Sequence, residues 1–141
     1  MSAARRLLAL TALLALAPPT GVQAGAAQDG IIAQLAAQAR AADPAFAGFS
    51  AERGQAFWAA RHAGGKDQTP SCASCHGAAP RAAGQTRAGK AIEPMAVSLA
   101  PDRFTDPAKV AKWFQRNCEG VLGRECTVRE KGDFLAYVLS Q

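Results

Sequence analysis

The chain has few residues able to hold a metal and little that would cross a membrane, and each shortage narrows the possibilities. Among 141 residues there are two histidines, two methionines, four cysteines and one tyrosine. The longest apolar run, Leu7 to Ala17, falls short of the roughly 20 residues a membrane helix needs. Basic residues are scattered, with one modest group at Arg81, Arg87 and Lys90, so nothing supports nucleic-acid binding. There are no internal repeats and no low-complexity tract, and no β-branched strand run precedes Ser71. These exclusions point to a small single domain. Its chemistry is concentrated in one short stretch, Cys72-Ala73-Ser74-Cys75-His76.

C-x-x-C-H is the attachment signature of a c-type haem. Two thiols three positions apart can each add across one vinyl of the same porphyrin, and the adjoining His76 is then placed to ligate the iron. Rival readings of C-x-x-C are zinc binding and thioredoxin-like dithiol chemistry. Zinc would need two more ligands, and Cys118 and Cys126 are spaced widely for such a pair. A dithiol motif would open a helix after a strand, and no strand run is present. One C-x-x-C-H implies one covalent haem c.

Residues 1–24 read as a secretory signal peptide. Arg5 and Arg6 form the basic start, Leu7 to Ala17 the apolar core, and Val22-Gln23-Ala24 a small-residue cleavage site. No cysteine near that site suggests a lipid anchor. Cleavage would leave residues 25–141 as one exported, periplasmic domain. Its net charge would fall from +5 to +3, and two haem propionates would bring it close to neutral. An oxidising compartment suits the four cysteines. With two committed to haem, Cys118 and Cys126 remain to pair.

Four helices are expected. The first spans about 29–42, with Asp29 as N-cap and Ile31, Ile32, Leu35, Ala36 and Ala39 as its apolar stripe. A second, about 51–62, opens at Ser50, carries Phe57 and Trp58, and stops at Gly64-Gly65. The third opens at Thr105 or Asp106 with Pro107 in its first turn. Val110, Trp113, Phe114 and Asn117 recur along it at helical spacing. The fourth, about 128–140, begins with the capping box Thr127-Val128-Arg129-Glu130. The Pro- and Gly-rich segment from His76 to Thr105 reads as an irregular wrapping loop. Gly54 with Trp58, the C-x-x-C-H motif and a terminal helix bearing Tyr137 resemble class I cytochrome c. The expected fold is therefore all-α, with class I cytochrome c-like helices around one covalent haem.

The iron's sixth position has three candidates. The region before the terminal helix contains no Met, and Met95, the only one after the initiator, lies earlier than the usual ligand. His62 is the other histidine. Asn117 either completes the face of Val110, Trp113 and Phe114 as a ligand or is an ordinary residue near a helix C-terminus, since Asn and Gly120 are common there. A permanently bound Met95 or His62 would make the chain a simple electron carrier.

A wider resemblance bears on this choice. It is carried by Thr69-Pro70-Ser71-Cys72 through Gly77, Gly84-Gln85-Thr86-Arg87 and Pro101-Asp102-Arg103-Phe104-Thr105-Asp106. Arg116-Asn117-Cys118 and Gly123-Arg124-Glu125-Cys126-Thr127 complete it. Together these segments resemble the sphaeroides haem protein family, oxygen-binding monohaem cytochromes c, over nearly all of residues 50–140. The resemblance implies that Asn117 is an axial ligand that leaves when a diatomic binds, and that Cys118 and Cys126 form a disulfide beside the haem. It also implies a dihaem cytochrome c and a membrane cytochrome b as redox partners, O₂ or NO as ligand, and turnover of the bound gas as family chemistry. Residues 25–49 fall outside it and show only a generic helix. An amide oxygen is a hard, weak donor, so Asn117 should hold Fe(III) better than Fe(II). Trp113 and Phe114 are expected to line the pocket where it lets go.

Overall fold

The computed structural model describes residues 25–141, so the expected signal peptide lies outside the described residues. The elements, in chain order, are helices α1 (Ala26–Ala42), α2 (Ala51–Ala59) and α3 (Ala73–His76), strands β1 (Gly84–Gln85) and β2 (Ala91–Ile92), and helices α4 (Pro107–Leu122) and α5 (Val128–Leu139). The mostly helical architecture agrees with the expected fold class. The additions are the short helix α3 and a two-stranded antiparallel ribbon, with Gly84 opposite Ile92 and Gln85 opposite Ala91, inside the segment expected to be irregular.

α5 is the central element. Thr127 and Glu130 form the expected reciprocal capping box, and Phe134, Leu135, Tyr137, Val138 and Leu139 are all buried. α2 crosses α5 at Gly54, where an added Cβ would fall 2.0 Å from the Asp133 carbonyl oxygen. Only a residue without a side chain permits that approach. The fully buried Trp58, one turn along α2, packs against Phe134 and Tyr137 at centroid distances of 5.9 and 6.0 Å. The crossing is tied by the buried Asp133 carboxylate, which accepts from Ser50 N and from Nε and Nη2 of Arg53.

α1 begins three residues earlier than expected. Gly25 is its N-cap, and Asp29 already donates its backbone N–H to the Gly25 carbonyl inside the first turn. There Asp29 supports the helix through its charge rather than as a cap. α2 ends at Ala60, earlier than Gly64-Gly65, because the chain turns extended and the His62 N–H bonds the Pro70 carbonyl. The two glycines serve a different contact. A Cβ on Gly65 would fall 2.4 Å from the Val121 carbonyl group, and Lys66 N donates to Gly120 O, so this loop rests on the end of α4.

α4 is capped as expected by Asp106, whose carboxylate accepts from Lys109 N, with Pro107 following. It runs past Asn117 and Gly120 to Leu122 and stops at Gly123, whose left-handed φ of 69° ends the helix. Asn117 is therefore interior to the helix rather than at its C-terminus.

Candidate haem centre

The C-x-x-C-H stretch forms a single helical turn. His76 N bonds Cys72 O at 3.1 Å, and Ser71 and Ser74 lock its start through reciprocal side-chain bonds to each other's backbone N–H. Trp58 Nε1 donates to Gly77 O at 3.0 Å, holding the turn to α2. On the other side the ribbon presses in at Gly84, where a Cβ would lie 2.1 Å from Cys75 O. Between turn and ribbon lies an open depression of about 530 Å³ whose walls include Ser74, Cys75, Thr86 and Arg87.

Both cysteines are unpaired and half-buried. Burial pushes the Cys72 thiol up to about 11, so it is protonated at neutral pH. That contrasts with the lowered pKa of a reactive dithiol. Cys118 and Cys126, the two further ligands a zinc site would have needed, are bonded to each other instead. His76 is held below the usual imidazole pKa by burial and, secondarily, by the charge of Arg103. It is thus neutral at pH 7, the form that ligates a metal. Its Nδ1 is buried without a partner.

A column of aromatic rings runs from His76 to α4. Centroid separations are 5.7 Å from His76 to Trp58, 5.9 Å from Trp58 to Phe134 and 5.5 Å from Phe134 to Phe114. The expected single face of α4 divides in two. Val110 and Phe114 are half-buried and Cys118 and Leu122 buried, following a spacing of four. Trp113 and Asn117, one step around the helix, are exposed, and Arg116 lies 5.2 Å from the Trp113 ring. The pair expected to line a pocket thus splits, with Phe114 in the core cluster and Trp113 at the surface.

Cys118 and Cys126 form a disulfide with their Cα atoms 5.5 Å apart. It joins the last turns of α4 to the residue before the α5 cap. Met95 is buried in the core cluster, with its N–H bonded to Pro80 O. His62 is half-buried, with Nε2 3.3 Å from Phe57 O. Two residues of this region had no role in the sequence reading. Gln28 is 3 % exposed, and its Nε2 donates to the carbonyls of Pro101 and Arg103 at 2.9 and 3.0 Å. Arg103 is half-buried beside it. A polar residue one turn ahead of Ile31 and Ile32, on the apolar stripe, was the available signal for Gln28.

Residues 44–138 match a family model described as a domain of unknown function, DUF1924. The chain is 56% identical over 91 residues to the cytochrome c-type protein SHP of Cereibacter sphaeroides, covering 64% of this chain and 70% of that protein. It belongs to the sphaeroides haem protein family. A structure of oxidized SHP, an oxygen-binding cytochrome c, superposes with a TM-score of 0.70 at 53% identity, covering 78% of this chain and 96% of that one. Cytochrome c'' of Methylophilus methylotrophus is 34% identical over 104 residues, 73% of this chain and 72% of that protein. Its oxidized crystal structure gives a TM-score of 0.71 at 30% identity, covering 82% and 94% of the two chains. Its solution structure, which addresses haem-ligand detachment, gives 0.68 at 32% identity, with 81% and 93% covered.

Membership in this family makes the cofactor of the chain one haem c. The residues present fit it. The unpaired thiols share one helical turn with a neutral imidazole, and that imidazole has a buried nitrogen awaiting a partner. No helix of the described residues is long and apolar enough to cross a membrane.

Proposed function

We propose that this protein is an exported cytochrome that binds O₂ or NO at ferrous haem iron once Asn117 withdraws, and that it exchanges electrons with partner cytochromes. The observation that carries the reading is the 53% identity to an oxygen-binding cytochrome c over nearly the whole of that chain. In this reading residues 1–24 direct export and residues 25–141 form the haem domain. Cys72 and Cys75 would anchor the cofactor, and His76 would ligate its iron. Bound haem supplies an iron that takes one electron and offers a coordination place to a diatomic ligand. Asn117 would offer a weak amide oxygen from α4, a hard donor poorly matched to a reduced, softer metal. The cytochrome c'' structure concerned with haem-ligand detachment supports a leaving ligand as a behaviour of a relative. Trp113 shares the exposed face of α4 with the departing amide, Phe114 lies on the core side, and the Cys118–Cys126 bridge fixes the helix that bears it. The partners are the dihaem cytochrome c and membrane cytochrome b that the family resemblance implies.

The test is anaerobic reduction followed by CO. A shifted ferrous spectrum is expected. A spectrum indifferent to CO would return the chain to simple electron transfer, with Met95 or His62 permanently bound. Asn117→Met should give a ferrous form resistant to CO with a raised potential, and unaltered CO affinity in that variant would remove Asn117 from the account.

A further inference from the structure

Arg103 sits in the turn between Ala100 and Phe104, on the approach to α4. Its Nη2 donates to the Glu93 carbonyl at 2.8 Å, whereas its Nε is buried and has no partner. None of the ion pairs among the described residues involves it. Buried side-chain donors without partners are rare, and each calls for an explanation. Here there are two among the described residues, Arg103 Nε and His76 Nδ1. Arg103 is tied to Glu93, the residue after the ribbon whose Gly84 presses against Cys75 and His76.

The turn carrying Arg103 is held with unusual care. Gln28, from α1, fixes the carbonyls on either side of it, at Pro101 and at Arg103 itself, through one buried amide. The next residue, Phe104, has a φ of 60° and is the one non-glycine residue in the left-handed region among those described. A side chain in that conformation is strained, and such strain gathers at functional positions. Its ring packs edge-on against Phe134 at 6.2 Å, which keeps the turn in register with the aromatic column leading to His76. A guanidinium presents planar pairs of N–H donors whose geometry matches a carboxylate. The carboxylates that a haem c brings to this chain are its two propionates.

We propose that Arg103 is the carboxylate-binding residue of the haem centre, receiving one haem propionate on the guanidinium edge that carries Nε. The proposal rests on the haem c assignment. Its positive charge beside the bound propionate would then favour the reduced iron.

The test compares the full-length protein with Arg103→Met and Arg103→Lys, each first checked for bound haem by pyridine haemochrome absorbance. Two readouts follow, the midpoint potential and the propionate bending modes in the resonance Raman spectrum. Arg103→Met is expected to shift the reduced-to-oxidised ratio at least tenfold toward the oxidised form, 59 mV for one electron, and to move the propionate modes. Arg103→Lys, which keeps the charge, should hold the ratio within about threefold while still moving those modes, because a single ammonium cannot reproduce the fork. Haem-loaded Arg103→Met with an unmoved potential and unmoved modes would overturn the proposal. Should that variant fail to fold, Arg103→Gln removes the charge with a polar replacement and is judged by the same criteria. Absence of a haemochrome signal in the unaltered protein would instead defeat the haem assignment itself.

Discussion

Gly54→Ala sets two ordinary rules of helix stability against each other. Gly54 lies in the interior of α2, where helix propensity alone favours Ala by about 1 kcal/mol. The structure points the other way. The new Cβ would fall 2.0 Å from Asp133 O, 2.6 Å from Asp133 C and 2.7 Å from Tyr137 Cβ. Non-bonded carbon contacts are comfortable only near about 3.5 Å, so the two helices must part by more than about an ångström. Two of the three obstacles are backbone atoms, which no rotamer change can move aside. Overpacking of this kind costs about 1–3 kcal/mol, and rigid neighbours place the cost near the top of that range. Parting the helices also loosens Trp58 between Phe134 and Tyr137. The net expectation is a loss of about 2 kcal/mol, roughly 30-fold in the ratio of folded to unfolded protein. Because the cofactor is covalent it stays with the unfolded chain, so urea denaturation reads the change directly. With a slope of about 2 kcal/mol per molar urea, the midpoint should fall by about 1 M. Gly30→Ala in α1 is the control. Nothing lies within 4 Å of its added Cβ, so propensity alone should act and raise the midpoint by about 0.5 M. A Gly54→Ala midpoint equal to or above that of the unaltered protein would refute the helix-crossing argument.

Replacing Cys118 and Cys126 together by Ser should cost about 2–3 kcal/mol by the chain-entropy estimate, since the bridge spans a sequence separation of only 8. Thermal melts with and without a reductant check this: the reductant should lower the melting temperature of the parent and leave the double variant unchanged. Glu130 is held at about 2, mainly by its hydrogen bonds from Arg124. A carboxylate depressed in the folded state adds stability above its unfolded pKa of 4.5 and loses that contribution as pH falls toward about 2. Glu130→Gln should therefore flatten the stability profile between those values, and an unchanged acid limb would show that the Arg124 pair is energetically silent. Together with Asn117→Met and Arg103→Met, these variants separate fold, cap, ligand and cofactor anchoring.

The features legible in the sequence were those whose partners lie within a few residues. Thr127 and Glu130 read each other across one turn, Asp106 and Pro107 announce α4, and Cys72, Cys75 and His76 carry their chemistry in their spacing. Gly54 was legible only through resemblance, since its meaning depends on Asp133. What stayed hidden depends on distant contacts. Gln28 meets carbonyls 73 and 75 residues away, and Arg53 meets a carboxylate 80 residues away. Local signals also misled. Gly64-Gly65 resembles a helix stop, yet it is small because α4 comes down on it, and Gly120 passes through a helix that Gly123 ends. The face of α4 was read as one stripe because 110, 113, 114 and 117 suit a helical period. Packing against Phe134 selects the narrower row through 114 and 118.

α4 is fastened at both extremities, by Asp106 and Pro107 at its start and by the bridge to Cys126 at its finish. In the proposed cycle a displaced Asn117 therefore cannot drift away. Its return is an intramolecular event, governed by an effective concentration that short tethers set at millimolar or above. An incoming gas must outcompete a rival that never leaves the neighbourhood, so occupancy should rise and fall promptly with supply.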